Sequence, residues 1–251
     1  MTIGSELLFF KNLPSTNTRA SELLKKKNIP EGTIVHTNWQ SAGRGHAGSK
    51  WESQDGKNLL FSIILYPSTI EPSDQFLISM ALSIGICDFL RRYTNGYSIK
   101  WPNDIYVKGD KIAGILIENS VMADRIVNSI AGIGLNINQV EFLSDAPNPV
   151  SLKTVTGSDY DLNICLTQLA SDLDRRYKQV ISEDYDQLQN EYISKLFRLN
   201  EWALFRDKDG NFTGRILSVS KTGWLQIEKK AGLKKEYSFK EIEFLQSHSN
   251  Y

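Results

Sequence analysis

The chain has 251 residues, with 29 Lys+Arg balanced by 29 Asp+Glu, so its formal charge is zero with histidine neutral, which argues against a nucleic-acid or anionic-membrane partner held mainly by bulk charge. Its 41% hydrophobic and 23% charged residues allow a sizeable globular core, and at about 150 residues per domain the length predicts one large domain plus a small one. Two cysteines, Cys87 and Cys165, lie among apolar residues with no Cys-x-x-Cys partner, which excludes a disulfide framework and favours buried thiols in a reducing compartment.

In chain order, the segment from Met1 to Lys11 has no basic n-region and no small-residue cleavage site, so it is not a signal peptide. No stretch approaches the roughly 20 apolar residues of a membrane span, and a soluble cytoplasmic protein is expected. Ala20, Leu23 and Leu24 at helical spacing, with Ser15 and Thr16 as candidate caps and Pro30 as a stop, predict a short helix over 17–27. Residues 33–39 are β-rich, and Leu59–Tyr66 is a nearly continuous apolar run bounded by Gly56 and Pro67, as in a strand buried on both faces. Phe76, Met80, Ile84 and Cys87 predict a long helix reaching about Arg92. Short β-like runs follow at 98–101, 105–107, 112–119 and 126–136. Leu166, Leu169, Leu173, Tyr177 and Val180 predict a second long helix, and Leu188, Tyr192, Ile193 and Leu196 a third. After Leu199 short β-like runs alternate with turns at Asp209-Gly210-Asn211, Thr222-Gly223 and Gly232, which predicts a small closed β-barrel over 199–251 packed directly on a larger domain, 1–198. There is no repeat and no low-complexity tract.

Gly43-Arg44-Gly45-His46-Ala47-Gly48 fits the G-x-G-x-x-G pattern of dinucleotide-binding folds, but residues 49–58 have no helical period and no βαβ unit surrounds the loop. Read from its residues alone, it is either a flexible surface loop or a loop whose glycines let backbone N–H groups approach an anion, with Arg44 and Lys50 adding charge. Lys100-Trp-Pro-Asn-Asp104 fixes a turn at a strand end, and Lys111-Ile-Ala-Gly114 sets a second lysine at the start of a strand beside a small residue. Such lysines suit attack of a carboxylate on the α-phosphate of ATP, where cations screen the repulsion, although an isolated pair of strand-end lysines is usually just solvated. His36, His46 and His248 form no ligand set, so no metal site is expected from protein side chains. No Gly-x-Ser-x-Gly elbow or Walker A lysine is present. The basic stretch 229–235 reads as a solvated hairpin edge.

Taken together, Ser15-Thr-Asn17 before a helix, Gln40-x-x-Gly-Arg-Gly45, Trp51, Lys100-Trp-Pro-Asn-Asp104, Lys111-x-x-Gly-Ile115 and Gly132-x-Gly-x-Asn136 resemble, in order, the motifs of the biotin protein ligase family. The resemblance implies a mixed β-sheet with flanking helices, similar to class II aminoacyl-tRNA synthetases, followed by an SH3-like barrel. It implies a two-step reaction in which biotin and MgATP give biotinyl-adenylate and pyrophosphate, and a lysine of a biotin carboxyl carrier protein domain then attacks the adenylate. By the same resemblance, Ser15, Thr16, Asn17, Gln40, Gly43 and Arg44 would bind biotin, and Gly114, Ile115 and Gly132 would wall its rings. Lys111 would stand between carboxylate and α-phosphate as the first catalytic candidate, with Arg44 beside it. Trp51, Asn103, Asn136 and His46 would contact the adenylate, supported by Lys100 and Asp104. Two departures stand out. The motifs begin at Ser15, which leaves no room before them for the winged helix-turn-helix of repressor members, so DNA binding is not expected. In the glycine loop, His46 and Ser49 stand where basic residues are common.

Three alternatives remain. A lipoate–protein ligase would share the Asn-Asp and Lys-x-x-Gly elements, with Trp101-Pro102 and the glycine loop favouring biotin. A non-catalytic module could use the C-terminal barrel to hold a peptide, but Lys111 has no purpose in a pure binder. A nucleic-acid-binding protein with a synthetase-like fold is disfavoured by the zero net charge. The oligomeric state, a homodimer included, is open.

Overall fold

The computed structural model describes residues 2–26, 28–143, 147–230 and 232–245. The larger lobe comprises β1 (Leu7–Leu13), α1 (Thr16–Lys26), β2 (Ile34–Gln40), β3 (Leu59–Leu65), α2 (Phe76–Leu90), β4 (Tyr97–Lys100), β5 (Asp104–Val107), β6 (Asp110–Met122), β7 (Arg125–Leu135), α3 (Leu152–Thr156), α4 (Leu162–Ile181) and α5 (Tyr185–Ser194). The smaller one comprises β8 (Ala203–Asp207), β9 (Gly210–Val219), β10 (Leu225–Lys229), β11 (Lys234–Tyr237) and β12 (Glu243–Phe244). The first sheet runs β1-β2-β3-β7-β6-β5-β4, with β1 and β2 parallel and every other pairing antiparallel, the mixed sheet that the family resemblance implied.

Every residue of β3 is buried. Alternation along it sends Phe61, Ile63 and Leu65 to the core shared with α2 and α4, and Ile64 to a second cluster with Ala20, Val35 and Ile130 beneath α1. The sheet is thus sandwiched between helices, as a strand apolar on both faces requires. Helix α2 is buried all round, and with the turn before it, Pro72–Leu90 forms 19 residues long and apolar enough to cross a membrane. This corrects the reading that no stretch approaches that length; 83% of the segment lies inside the protein, so it is a core helix by position. Its one charged residue, Asp88, accepts hydrogen bonds from Arg176 (2.6 Å) and Arg175 (2.8 Å) of α4, and Arg176 also pairs with Glu191 of α5. Burial alone would raise the Asp88 pKa, but the two guanidinium groups hold it below the usual carboxylate range.

Strand β1 has no counterpart in the sequence reading. Leu7, Leu8, Phe9 and Phe10 do not alternate in polarity, because this edge strand packs Leu8 and Phe10 against the α1 cluster and leaves Leu7 and Phe9 half-exposed. Helix α3 is five residues long, too short to show a period, and is capped by the Ser151 hydroxyl. The β5–β6 turn has positive φ at both Lys108 and Gly109, the backbone that a two-residue hairpin needs.

Beyond Leu199 the strands form an antiparallel sheet in the order β11-β10-β9-β8-β12. A closed barrel was expected; among the described residues the end strands β11 and β12 do not pair, so the barrel-like sheet is open. It packs directly on the larger lobe, as expected: Phe205, Ile216, Val219, Leu225, Ile227 and Tyr237 belong to the same apolar core as α2. Trp101 Nε1 donates to Gly223 O (3.0 Å), and Gln189 Nε2 donates to Val219 O (2.7 Å).

Candidate active site

A cavity of about 900 Å3 opens between the two sheets. The start of α1, the end of β2, the glycine loop, the β4–β5 turn and the glycine-bearing parts of β6 and β7 line it on one side, and residues 239–245 line it on the other.

At one end, the N-terminus of α1 meets β2 and β3. Gln40 Oε1 accepts from Thr16 N (2.8 Å) and lies 3.2 Å from Thr16 Oγ1. Ser62 of β3, fully buried, brings its hydroxyl to 2.7 Å from Thr16 Oγ1 and 2.6 Å from Asn17 Oδ1. Asn17 Nδ2 donates to Glu118 Oε2 (2.8 Å) and Leu116 O (3.3 Å), and Glu118 forms a two-pronged ion pair with Arg44 at 2.9 and 3.0 Å. Gly132 is small because of Asn17: a Cβ there would lie 2.2 Å from Asn17 Oδ1. Asn17 therefore shapes this end from inside the wall with every polar group engaged, and Gly132 accommodates Asn17.

Trp51 forms the middle of the cavity. A Cβ at Gly134 would lie 2.3 Å from its Cε2, and one at Gly114 would lie 3.0 Å from its Cζ3, so the two glycines form the bed for the indole. Its Nε1 is buried without a partner among the described residues. Beside it, Lys111 Nζ pairs with Asp104 Oδ1 at 2.7 Å, both side chains about a quarter exposed, and lies 5.7 Å from the Trp51 ring centroid. Asn103 and Ile115 bond reciprocally, Nδ2 to Ile115 O (2.5 Å) and Ile115 N to Asn103 O (3.0 Å), which ties the β4–β5 turn to β6. Lys100 donates to Tyr106 OH (2.9 Å) and sits 5.5 Å from the Phe244 ring centroid; burial lowers its pKa, with Asp104 opposing that change. Burial also pushes Tyr106 up to about 12.

The glycine loop contains a single 3-10 turn at His46–Gly48 and no α-helix, consistent with rejecting the dinucleotide fingerprint. Gly45 N bonds to Ser49 O (2.7 Å), and Trp51 N to Gly43 O (3.0 Å). His46 meets the edge of Phe239 from the smaller lobe, which also contacts Trp101 and Phe76.

Of the residues singled out from sequence, Ser15, Thr16, Asn17, Gln40, Arg44, His46, Trp51, Lys100, Asn103, Asp104, Lys111, Gly114, Ile115 and Gly132 line this one cavity. Gly43 and Asn136 are outside its lining. Gly43 lets Trp51 O approach, since a Cβ there would lie 2.5 Å from it. Asn136 is buried behind the lining, its Nδ2 donating to Val150 O (3.1 Å) and its Oδ1 without a partner among the described residues. Sequence reasoning missed Ser62, Glu118, Arg198, Phe239 and Lys240. Ser62 alone had a visible signal, as the one polar residue inside an apolar strand run. No group of three or more His, Cys, Asp or Glu among the described residues is arranged to hold a metal ion.

The family profile described as "Biotin/lipoate A/B protein ligase family" matches residues 9–136, which include the whole arrangement from α1 to β7. The chain belongs to that family. It is 31% identical over 244 residues to the bifunctional ligase/repressor BirA of Bacillus subtilis, covering 94% of this chain and 73% of that one. It is 28% identical over 230 residues to the biotin–[acetyl-CoA-carboxylase] ligase of Paracoccus denitrificans, covering 87% and 92%. Among solved structures, it superposes on the Aquifex aeolicus biotin protein ligase in complex with biotin and ATP with a TM-score of 0.81 at 28% identity, covering 97% of this chain and 100% of that one.

Proposed function

We propose that this ligase activates biotin with ATP and transfers it to a lysine of a biotin carboxyl carrier protein domain. The observation that carries the reading is Lys111, held by Asp104 at 2.7 Å and set beside a tryptophan whose bed is two glycines, in a cavity that also contains Thr16 and Gln40. In the first step the carboxylate oxygen of biotin attacks the α-phosphorus of ATP, forming the mixed anhydride and releasing pyrophosphate. Lys111 offers a cation where two negative groups must meet, and charge preorganised in this way lowers the barrier. In the second step the carrier lysine's neutral amine attacks the anhydride carbonyl, forming the amide and releasing AMP. Arg44, Lys100, Lys111, Arg198 and Lys240 are the lysines and arginines that line the site, and Trp51 Nε1, without a partner among the described residues, can donate to a ligand acceptor. The only cavity-lining carboxylates among the described residues are Asp104 and Glu243, too few for a dedicated metal cage, which suits Mg2+ arriving bound to the ATP phosphates with most of its water.

The division proposed is a catalytic domain over 1–198 and a small domain over 199–251. The buried free thiols of Cys87 and Cys165 fit a cytoplasmic enzyme. No nucleic-acid partner is proposed, on the ground of the zero net charge. The test is biotin-dependent exchange of label between pyrophosphate and ATP without carrier, followed by transfer of labelled biotin to a carrier lysine, with lipoate run in parallel. Exchange that needs the carrier would refute the two-step scheme, and preference for lipoate would refute the substrate.

A further inference from the structure

Two lysines of the cavity are held in different ways. Lys111 faces a carboxylate, Asp104, at 2.7 Å. Lys100, half-buried at the end of β4, forms no ion pair among the described residues, although burial lowers its pKa, Asp104 opposing that change and Arg198 adding to it. Its hydrogen-bond acceptor is a neutral one, Tyr106 OH at 2.9 Å, and the Tyr106 ring is backed by Phe197 with centroids 5.3 Å apart. The ammonium also lies over the ring of Phe244, 5.5 Å from its centroid. That ring comes from β12 of the smaller lobe, where an edge contact with Phe205 (5.2 Å between centroids) and the bond from Leu245 N to Leu204 O (3.0 Å) fix it. Both cavity-lining carboxylates among the described residues are engaged elsewhere, Asp104 with Lys111 and Glu243 with Arg206 at 3.2 Å.

The difference has a chemical consequence. A carboxylate beside Lys100 would stabilise the ammonium but cancel its charge and compete with any anionic ligand. An aromatic face attracts a cation through its quadrupole and carries no net charge of its own, so the cation keeps its full field. We propose that Phe244 is a positioning residue for the adenylation step: from the smaller lobe its ring steadies the Lys100 ammonium against Tyr106 without neutralising it, so that an uncompensated cation meets the phosphates of ATP. The proposal rests on the reading that the cavity takes ATP. It gives the smaller lobe an electrostatic part in the reaction, because Lys100 belongs to one lobe and the ring that steadies it to the other.

The test replaces Phe244 in the full chain by leucine, by tyrosine and by 3,4,5-trifluorophenylalanine, which keeps the ring's shape and removes its negative face. KM for ATP and KM for biotin are read in pyrophosphate exchange, and the Kd for ATP by calorimetry. Phe244→Leu and the trifluorinated ring are each expected to raise KM and Kd for ATP about two- to fivefold while KM for biotin stays put, and Phe244→Tyr to stay close to wild type. In a Lys100→Met background the same replacements should cost nothing further. The fluorinated chain decides the matter if Phe244→Leu does not fold. Unchanged ATP values in the fluorinated chain, whatever leucine does, would show that the ring only packs and would overturn the proposal, as would an equal loss in the Lys100→Met background. A wild-type chain that binds ATP but shows no biotin-dependent exchange would overturn the biotin reading alone, since the Kd series still decides the part played by Phe244; one that binds no ATP would overturn both.

Discussion

Replacing Lys111 by alanine separates catalysis from folding, because the two effects have different sizes. The Lys111–Asp104 pair is about a quarter exposed on each side, so water screens it, and such pairs contribute about 0–1 kcal/mol to stability. The approach to the Trp51 ring at 5.7 Å adds about 0.5–1 kcal/mol. The backbone bonds from Lys111 N to Asn148 O (2.7 Å) and from Val150 N to Lys111 O (2.9 Å) survive any side chain at this position. A total loss of at most about 2 kcal/mol corresponds to a Tm decrease of about 4–8 °C in a domain of this size. Losing one preorganised contact to the charge that develops at phosphorus costs about 2.7–4 kcal/mol, or about 10²–10³ in rate. The assay is biotin-dependent pyrophosphate exchange at saturating ATP and biotin, with a melting curve on the same preparation. A rate within about threefold of wild type, in a protein that melts normally, would remove Lys111 from the chemistry and refute the reasoning built on its position.

Gly134→Ala would place a methyl carbon 2.3 Å from Trp51 Cε2 and expel the indole, so a red shift in tryptophan emission should accompany a rise of about tenfold or more in KM for ATP. Burial raises the pKa of Asp207, but hydrogen bonds from Lys229, Tyr237, Asp209 N and Lys235 outweigh it and hold the carboxyl well below its usual range. Its stabilising contribution is therefore complete above the unfolded value of about 3.9 and fades as pH falls below that; Asp207→Asn should cost about 1–3 kcal/mol at pH 7 and flatten the acid limb of the stability profile measured by urea titration. Cys87, pushed up to about 12 by burial, should resist alkylation at pH 8 until denaturant is added, as followed by mass spectrometry. His46→Arg should slow release of preformed adenylate by restoring a permanent cation to the glycine loop, and an unchanged dissociation rate would make His46 a spectator.

The parts of the fold legible in the sequence are those where one physical demand dominates. Leu59–Leu65 and Phe76–Leu90 are buried on all sides, so their apolar runs could only be core. β1 was not legible, because an edge strand half covered by α1 need not alternate, and neither was the open β11–β12 end, because pairing between distant strands leaves no local mark. The residues in short motifs, such as Lys111 and Asp104, were legible as site candidates only through their ordered resemblance to a family, because strand-end lysines taken singly read as solvated; the structure brings the two to 2.7 Å. Their supports were not legible. Glu118 looks like any carboxylate on a strand, and Phe239 reaches His46 only after the two sheets dock. Asn136 lies in a matching motif, yet the bond its Nδ2 makes to Val150 O could not be read from that motif, because Val150 is brought beside it only by the fold.

Because residues 239–245 close a cavity whose other wall begins at Ser15, the site is assembled from nearly the two ends of the described chain. A ribosome delivers those ends in sequence, and the first sheet with its helices can be synthesised and paired before the second exists. During that interval Phe76 lacks its cover from Gly223, Trp101 lacks its acceptor at Gly223 O, and α2 has lost part of its apolar cover. Until the strands of the second sheet dock, Lys111 and Thr16 face an open side where residues such as Phe239 and Phe244 would complete the wall. The cavity therefore gains its second wall only when β11 and β12 take their places, so its shape depends on strands that follow the whole first sheet in the chain.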